Sequence, residues 1–299
     1  MRALPSIAAV LLGAVALLGA CGGSDGGGDS GRVRVIATIA PVGALVQAVG
    51  GDFVELKVLA GAGIDPHEYE VSASDRKAIG RAAVIFWSGL GIDAFLVKAF
   101  DGTRQPPMTL SAALKLRSGP DGASPDPHVW HDIENDKLML AAIADALAAS
   151  DPGHAQAYRA NAAAYSAKLD ETDRQIKTLL DAIPPQNRKV VTNHDSVGYF
   201  LARYGLTFVG AVIPGTSTQS EPSAKDIAEL VSLIKKEGVK AIFSEGSVDP
   251  KVARQVAKDT GVTIVADLYG DSLGNKGSGA ETIDGMLLSN AKKIAEALR

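Results

Sequence analysis

Five histidines and a single cysteine set the chemical repertoire of this 299-residue chain. With Cys21 alone there is no disulfide framework, CxxC redox pair or thiolate zinc cage, so imidazole, carboxylate and hydroxyl groups must carry the chemistry. His67 stands in Asp65-Pro66-His67-Glu68-Tyr69-Glu70, His128 in Asp126-Pro127-His128-Val129-Trp130, and His194 in Thr192-Asn193-His194-Asp195. Prolines before His67 and His128 restrict the backbone there, which suits a preorganised ligand. With Asp271, in Tyr269-Gly270-Asp271-Ser272, three neutral imidazoles and a carboxylate make a ligand set for zinc that also suits manganese or iron(II). Taken singly, each imidazole is accounted for by a loop hydrogen bond. Three of them in loops near strand ends point instead to a shared site. His154, at a helix start, reads as a solvated surface residue.

The elements that must position these residues alternate from residue 32 onward, β-rich runs with helical ones, as in the βαβ units of parallel sheets. Strands are expected at 33–39, 54–59, 84–87, 189–192, 207–212, 240–244 and 262–267. Helices are expected at 42–49, 74–80, 92–100, 135–149, 197–204, 224–237, 251–260 and 283–298. Between 154 and 182 there is neither proline nor glycine, and Pro184-Pro185 follows. That segment predicts one helix of roughly 40 Å, long enough to run along a two-lobed molecule. The expected fold is α/β: two parallel-sheet βα lobes, 32–150 and 186–299, joined by a backbone helix within 151–185. Ligands in open α/β sheets bind beyond the carboxyl ends of the strands. His67 and His128 come from one lobe and His194 and Asp271 from the other, so the four converge only in a cleft between lobes. A rigid connecting helix limits hinge opening, so release is expected through local loop movement.

The chain's start reads as an address. Residues 1–20 carry Arg2, an apolar stretch and the small residues Gly19 and Ala20, as in a secretory signal peptide. Leu18-Gly19-Ala20-Cys21 resembles a bacterial lipobox, which makes Cys21 the expected lipidation site and anchors the protein to a membrane. The tract to Gly31, with no apolar side chain, is expected to be a flexible tether. A 46% hydrophobic content suffices for real cores, and a net charge of −4 without a long basic run argues against a nucleic-acid partner.

Read in order, Pro-His-Glu-Tyr-Glu at 66–70, Asp-Pro-His-x-Trp at 126–130 and His-Asp-x-x-Gly-Tyr-Phe at 194–200 resemble motifs of one known family. Ser220-Glu221-Pro222-Ser223, Lys240-Ala241-Ile242-Phe243 and the run Leu268 to Gly274 fit it too. That family is the solute-binding lipoproteins of zinc and manganese ABC importers, metal-binding cluster A-I or cluster 9, and the likeness spans about residues 32–299. The resemblance implies a monomer that delivers a divalent metal, Zn2+ or alternatively Mn2+ or Fe2+, to an ABC permease and its ATPase outside the cytoplasm. It places the family's ligands on His67, His128, His194 and Asp271. Glu68 and Glu245 are reserve carboxylates should Asp271 not be the fourth ligand. Two departures bear on the metal. The His-rich loop of many zinc-specific members is absent between His67 and His128, whereas manganese-selective members often carry Glu where His194 stands. His131 occupies a position that is commonly apolar in the family, as a bland neighbour of His128 or an auxiliary imidazole.

Other readings have less behind them. Gly89-Leu90-Gly91-Ile92-Asp93-Ala94 fits GxGxxA, but no acidic residue follows between Asp101 and Asp121, so a packing turn is expected rather than a dinucleotide site. A metal-dependent hydrolase would need an open coordination position and a carboxylate base, for which Glu68 is the candidate. A surface adhesin or metallochaperone would keep the site and change the partner.

Overall fold

The computed structural model describes residues 31–100, 106–119, 122 and 124–299. The expected signal peptide and Cys21 lie outside them. Gly31–Arg299 form one compact unit. Among the described residues no helix is long and apolar enough to cross a membrane.

The chain opens with β1 (Val33–Ile39), α1 (Ala40–Gly50), β2 (Val54–Ala60), α2 (Ala73–Ile79), β3 (Val84–Trp87) and β4 (Met108–Thr109). These strands form a parallel sheet in the order β2-β1-β3-β4. Two helices follow, α3 (Ile133–Ser150) and the 27-residue α4 (Ala155–Asp181). The second half runs β5 (Lys189–Thr192), α5 (Gly198–Arg203), β6 (Thr207–Ala211), α6 (Ala224–Glu237), β7 (Ala241–Glu245), α7 (Lys251–Thr260), β8 (Thr263–Leu268) and α8 (Ile283–Leu298). Its sheet is also parallel, in the order β6-β5-β7-β8, so both halves place their first strand second. The strand order reverses between β1 and β3 and again between β5 and β7, where an open α/β sheet leaves a crevice at its carboxyl edge.

Strands covered on both faces must be apolar nearly throughout, and β7 (Ala-Ile-Phe-Ser-Glu) is buried along its whole length. One apolar cluster joins the halves, from Leu45 and Phe86 through Ile143, Leu169 and Ile176 to Phe243 and Ile294. Smaller clusters cover the outer faces, Ile36, Ile85 and Leu96 on one sheet and Val191, Ile234 and Val256 on the other. The long helix α4 packs against α1, α3 and α8. It buries Tyr158, Ala162, Leu169, Thr172, Ile176 and Leu180 as a single stripe at helical spacing. Capping boxes start α2 (Ser72 with Asp75) and α6 (Ser223 with Asp226), and left-handed Gly238 and Gly261 end α6 and α7.

The structure differs from the sequence reading in two places. The helix expected at 92–100 is a six-residue 3-10 turn, Ala94–Ala99. Asp93, the available cap, instead accepts the backbone N–H of Gly89 at 2.6 Å and closes a turn of left-handed Gly89, Leu90 and Gly91. The short strand β4 had no expectation, because two residues show no alternation.

Candidate metal centre

His67 lies in a 3-10 turn, Pro66–Glu68, beyond β2, and His194 lies two residues beyond β5. Asp271 lies three residues beyond β8, and His128 precedes the turn Val129–His131 that leads into α3. The fold brings these four together: one ligand atom from each lies within 4.8 Å of the others. The Asp271 carboxylate sits among the imidazoles. Its Oδ1 is 3.0 Å from His128 Nε2, and its Oδ2 is 3.0 Å from His194 Nε2 and 3.3 Å from His67 Nε2. All three Nε2 atoms and both Asp271 oxygens are buried without a properly aligned hydrogen bond. Buried polar atoms are rarely left so, and five converging on one point fit a cation's ligand set.

The outer ring nitrogens of His128 and His194 face carboxylates. His128 Nδ1 is 2.8 Å from Asp126 Oδ1, and Arg117 donates to the other Asp126 oxygen at 2.5 Å. His194 Nδ1 is 2.9 Å from Glu245 Oε1, which also accepts from Ser196 Oγ at 2.7 Å. The acceptor at His128 Nδ1 favours its Nδ1–H tautomer and leaves the Nε2 lone pair directed inward, and the Glu245 carboxylate beside His194 Nδ1 favours the same form electrostatically. Glu245 thus stands behind His194, outside the four-residue cluster, while its Oε2 accepts the Asp271 N–H at 3.2 Å. Glu68 is exposed and also outside the cluster.

Without an ion, these groups neutralise one another with protons. Burial opposes a charge on His128, but Asp271 and Asp126 beside it push its pKa up to about 9. Burial opposes charge on His194 too, yet Glu245 and Asp271 hold it well above the usual imidazole value. Burial alone would raise Asp271, but the adjacent His194 and His128 hold it well below the ordinary carboxylate range. A divalent cation at this point replaces protons that His128 and His194 otherwise keep.

His131 is buried, not bland. Its Nε2 donates to the Gly270 carbonyl at 2.9 Å, as does Trp130 Nε1 at the same distance, so two rings of the His128 segment brace the loop bearing Asp271. Burial drives the His131 pKa down to about 4 and keeps the ring neutral. His154, 44% exposed at its side chain, meets Asp151 at 2.7 Å far along the chain from the site motifs. Sequence reasoning gave no role to Asp126 or Asp65, although a signal was present in the repeated Asp-Pro-His. In each copy the aspartate accepts the backbone N–H of its own histidine, at 2.8 Å for His67 and 3.0 Å for His128.

Paired parallel sheets with three imidazoles and a carboxylate gathered at their carboxyl ends define a metal-binding protein of the two-sheet α/β class. The family model of the periplasmic zinc-uptake complex component A matches residues 35–297, and the chain belongs to that family. It is 33% identical over 305 residues to the manganese-binding lipoprotein MntA of Bacillus subtilis (strain 168), covering 98% of each chain. It is 30% identical to the iron ABC transporter substrate-binding lipoprotein MtsA of Streptococcus pyogenes serotype M1, covering 90% of each. Among solved structures, the periplasmic zinc-binding protein TroA of Treponema pallidum superposes with a TM-score of 0.84 at 30% identity, covering 90% of this chain and 99% of TroA. Relatives named for manganese, iron and zinc thus each match at least 90% of this chain.

Proposed function

We propose that this protein captures one divalent transition metal outside the cytoplasm and delivers it to an ABC permease and its ATPase, held to the membrane by a lipid on Cys21. The ligands in this reading are His67 Nε2, His128 Nε2, His194 Nε2 and an Asp271 oxygen. The observation that carries it is the buried convergence of the three Nε2 atoms and both Asp271 oxygens, none with an aligned hydrogen bond, supported by membership of a family of metal-uptake components. Three neutral imidazoles favour zinc over manganese, because nitrogen donors suit zinc while manganese prefers oxygen; iron(II) falls between. Four ligands drawn from two sheets suit capture. A hydrolase would need an open position beside a carboxylate base, and Glu68, the candidate base, stands exposed outside the cluster.

Metal analysis of the compact unit from Gly31 onward, with competitive zinc and manganese titrations, tests the reading. The expected result is one ion per chain, zinc bound more tightly than manganese, and binding lost in His194→Ala. Absence of a stoichiometric ion, or unchanged binding in that variant, overturns the site.

A further inference from the structure

Three of the four proposed ligands, His128, His194 and Asp271, have fully buried side chains, whereas His67 is 11% exposed. An ion leaving the cluster must pass the His67 turn. The loop leading into that turn meets the opposite half at Ser272, whose Oγ accepts the Gly63 N–H at 2.7 Å, and the turn itself is held by a segment of that half, residues 212–223, which joins β6 to α6 without regular structure.

The segment is pinned at both ends to its own half. Ile213 N donates to Asn193 O at 2.7 Å, Asp195 N donates to Gly215 O at 3.1 Å, and Ser223 caps α6. Between these anchors it reaches across to the other half. Thr218 Oγ1 donates to Asp65 Oδ2 at 2.7 Å, and Gln219 Nε2 donates to the His67 carbonyl at 2.6 Å. The Thr218 contact acts on His67 indirectly, because the other Asp65 oxygen accepts the His67 backbone N–H. Left-handed Gly215, with φ 94°, stands just before the reaching stretch, and a side chain there would meet no neighbour, a backbone suited to a pivot. The stretch also separates two cavities. Thr216, Ser217 and Gln219 line one of about 460 Å³ that contains His67 and Leu90. Thr218, Ser220 and Glu221 line one of about 340 Å³ that contains Asp65 and Glu68. Lifting it would merge the two beside the one partly exposed ligand.

We propose that residues 216–221 are a strap over the metal cluster, and that Thr218 and Gln219 are positioning residues whose hydrogen bonds to Asp65 and to the His67 carbonyl set the rate of metal release. The strap rests on the metal-capture reading above and adds to it the element that must open before His67 can swing away. The shared core through α4 favours this local opening, since it resists separation of the two sheets.

Stopped-flow release of zinc into excess chelator tests this with wild type, Thr218→Val, Gln219→Ala and the double variant. A hydrogen bond to a charged group is stronger than one to a neutral carbonyl, so release should quicken about tenfold or more in Thr218→Val and about fivefold in Gln219→Ala. Thr218→Ser keeps the hydroxyl and should release at the wild-type rate. Each variant should still bind one ion, and metal-free melting temperatures should match wild type, which a merely structural role would not predict. Variants that bind one ion and release it at the wild-type rate overturn the strap and leave the metal site standing. Failure of wild type to bind a stoichiometric ion overturns the site and the strap together.

Discussion

Asp-Pro-His occurs twice in the chain, and the two copies do different work from the same local geometry. In both, the aspartate accepts the backbone N–H of the histidine two residues on. At 126–128 it also takes the ring Nδ1 of His128, and Arg117 and the Tyr199 hydroxyl fasten the segment to α5. Arg203 of α5 adds contacts to Asp132 and Glu134 at 3.2 Å each, at the start of α3. The His128 segment comes from the first half of the chain yet is bonded to the second. At 65–67 the spare aspartate oxygen goes instead to Thr218 across the cleft, and the ring keeps an exposed edge. One motif therefore builds a fixed platform with His194 and Asp271, and the other builds an arm that closes over it. The partner chosen by the second carboxylate oxygen, not the motif, decides which.

The contrast orders the consequences of mutation. Removing a proposed ligand of the platform, in His194→Ala or Asp271→Ala, should lower metal affinity by more than the roughly 10–100-fold expected for loss of an outer partner; isothermal titration reads this directly. His67→Ala should cost less and still bind one ion per chain, with faster release. A loss as severe as that of His194→Ala would erase the distinction between arm and platform. Next comes Asp126→Asn, which keeps the shape of the turn but weakens the hold on His128 Nδ1; affinity should fall about 10–100-fold. The matching Asp65→Asn should act chiefly on the release rate. Comparable effects of the two on affinity would show that both copies serve the same purpose.

Acid sharpens the comparison more gently. Metal binding needs neutral imidazoles, and the metal-free platform holds a proton on His128 up to about pH 9. Affinity should therefore rise with pH through the neutral range, about tenfold per unit for each proton displaced, and lose that proton's share of the slope above about pH 9. The same shift has the opposite sign for the metal-free fold. A raised imidazole pKa contributes stability that is full below its unfolded value near 6.5 and is lost as pH rises through about 9. Metal-free melting temperature should fall over that window while metal affinity climbs, and calorimetry at pH 6.5 and 9 reads the sign.

Most strands and helices were legible because they follow hydrophobic periodicity and caps, which are local. The strand at Val33–Ile39 and the helix Ala224–Glu237 fall where the pattern places them. Cluster membership of His67, His128, His194 and Asp271 was legible from loop position and from the family resemblance, since strand ends in parallel sheets share one edge. What stayed hidden depends on partners far away in sequence. His131 looks like an incidental neighbour of His128 until the Gly270 carbonyl, 139 residues on, is seen to receive its ring N–H. Thr218 and Gln219 sit in a polar loop with no signature, and their partners lie 153 and 152 residues earlier. Residues 92–100 were misjudged because the Asp93 side chain serves the turn before it rather than a helix after it.

The most direct test of the central claim is a crystal structure of the zinc-loaded protein with anomalous scattering recorded at the zinc edge. The account predicts one strong peak per chain, about 2.0–2.2 Å from His67, His128 and His194 Nε2 and from an Asp271 oxygen. A stoichiometric peak elsewhere, such as beside Glu68 and Glu221, or one at this site touching fewer than three of the four residues, would contradict it.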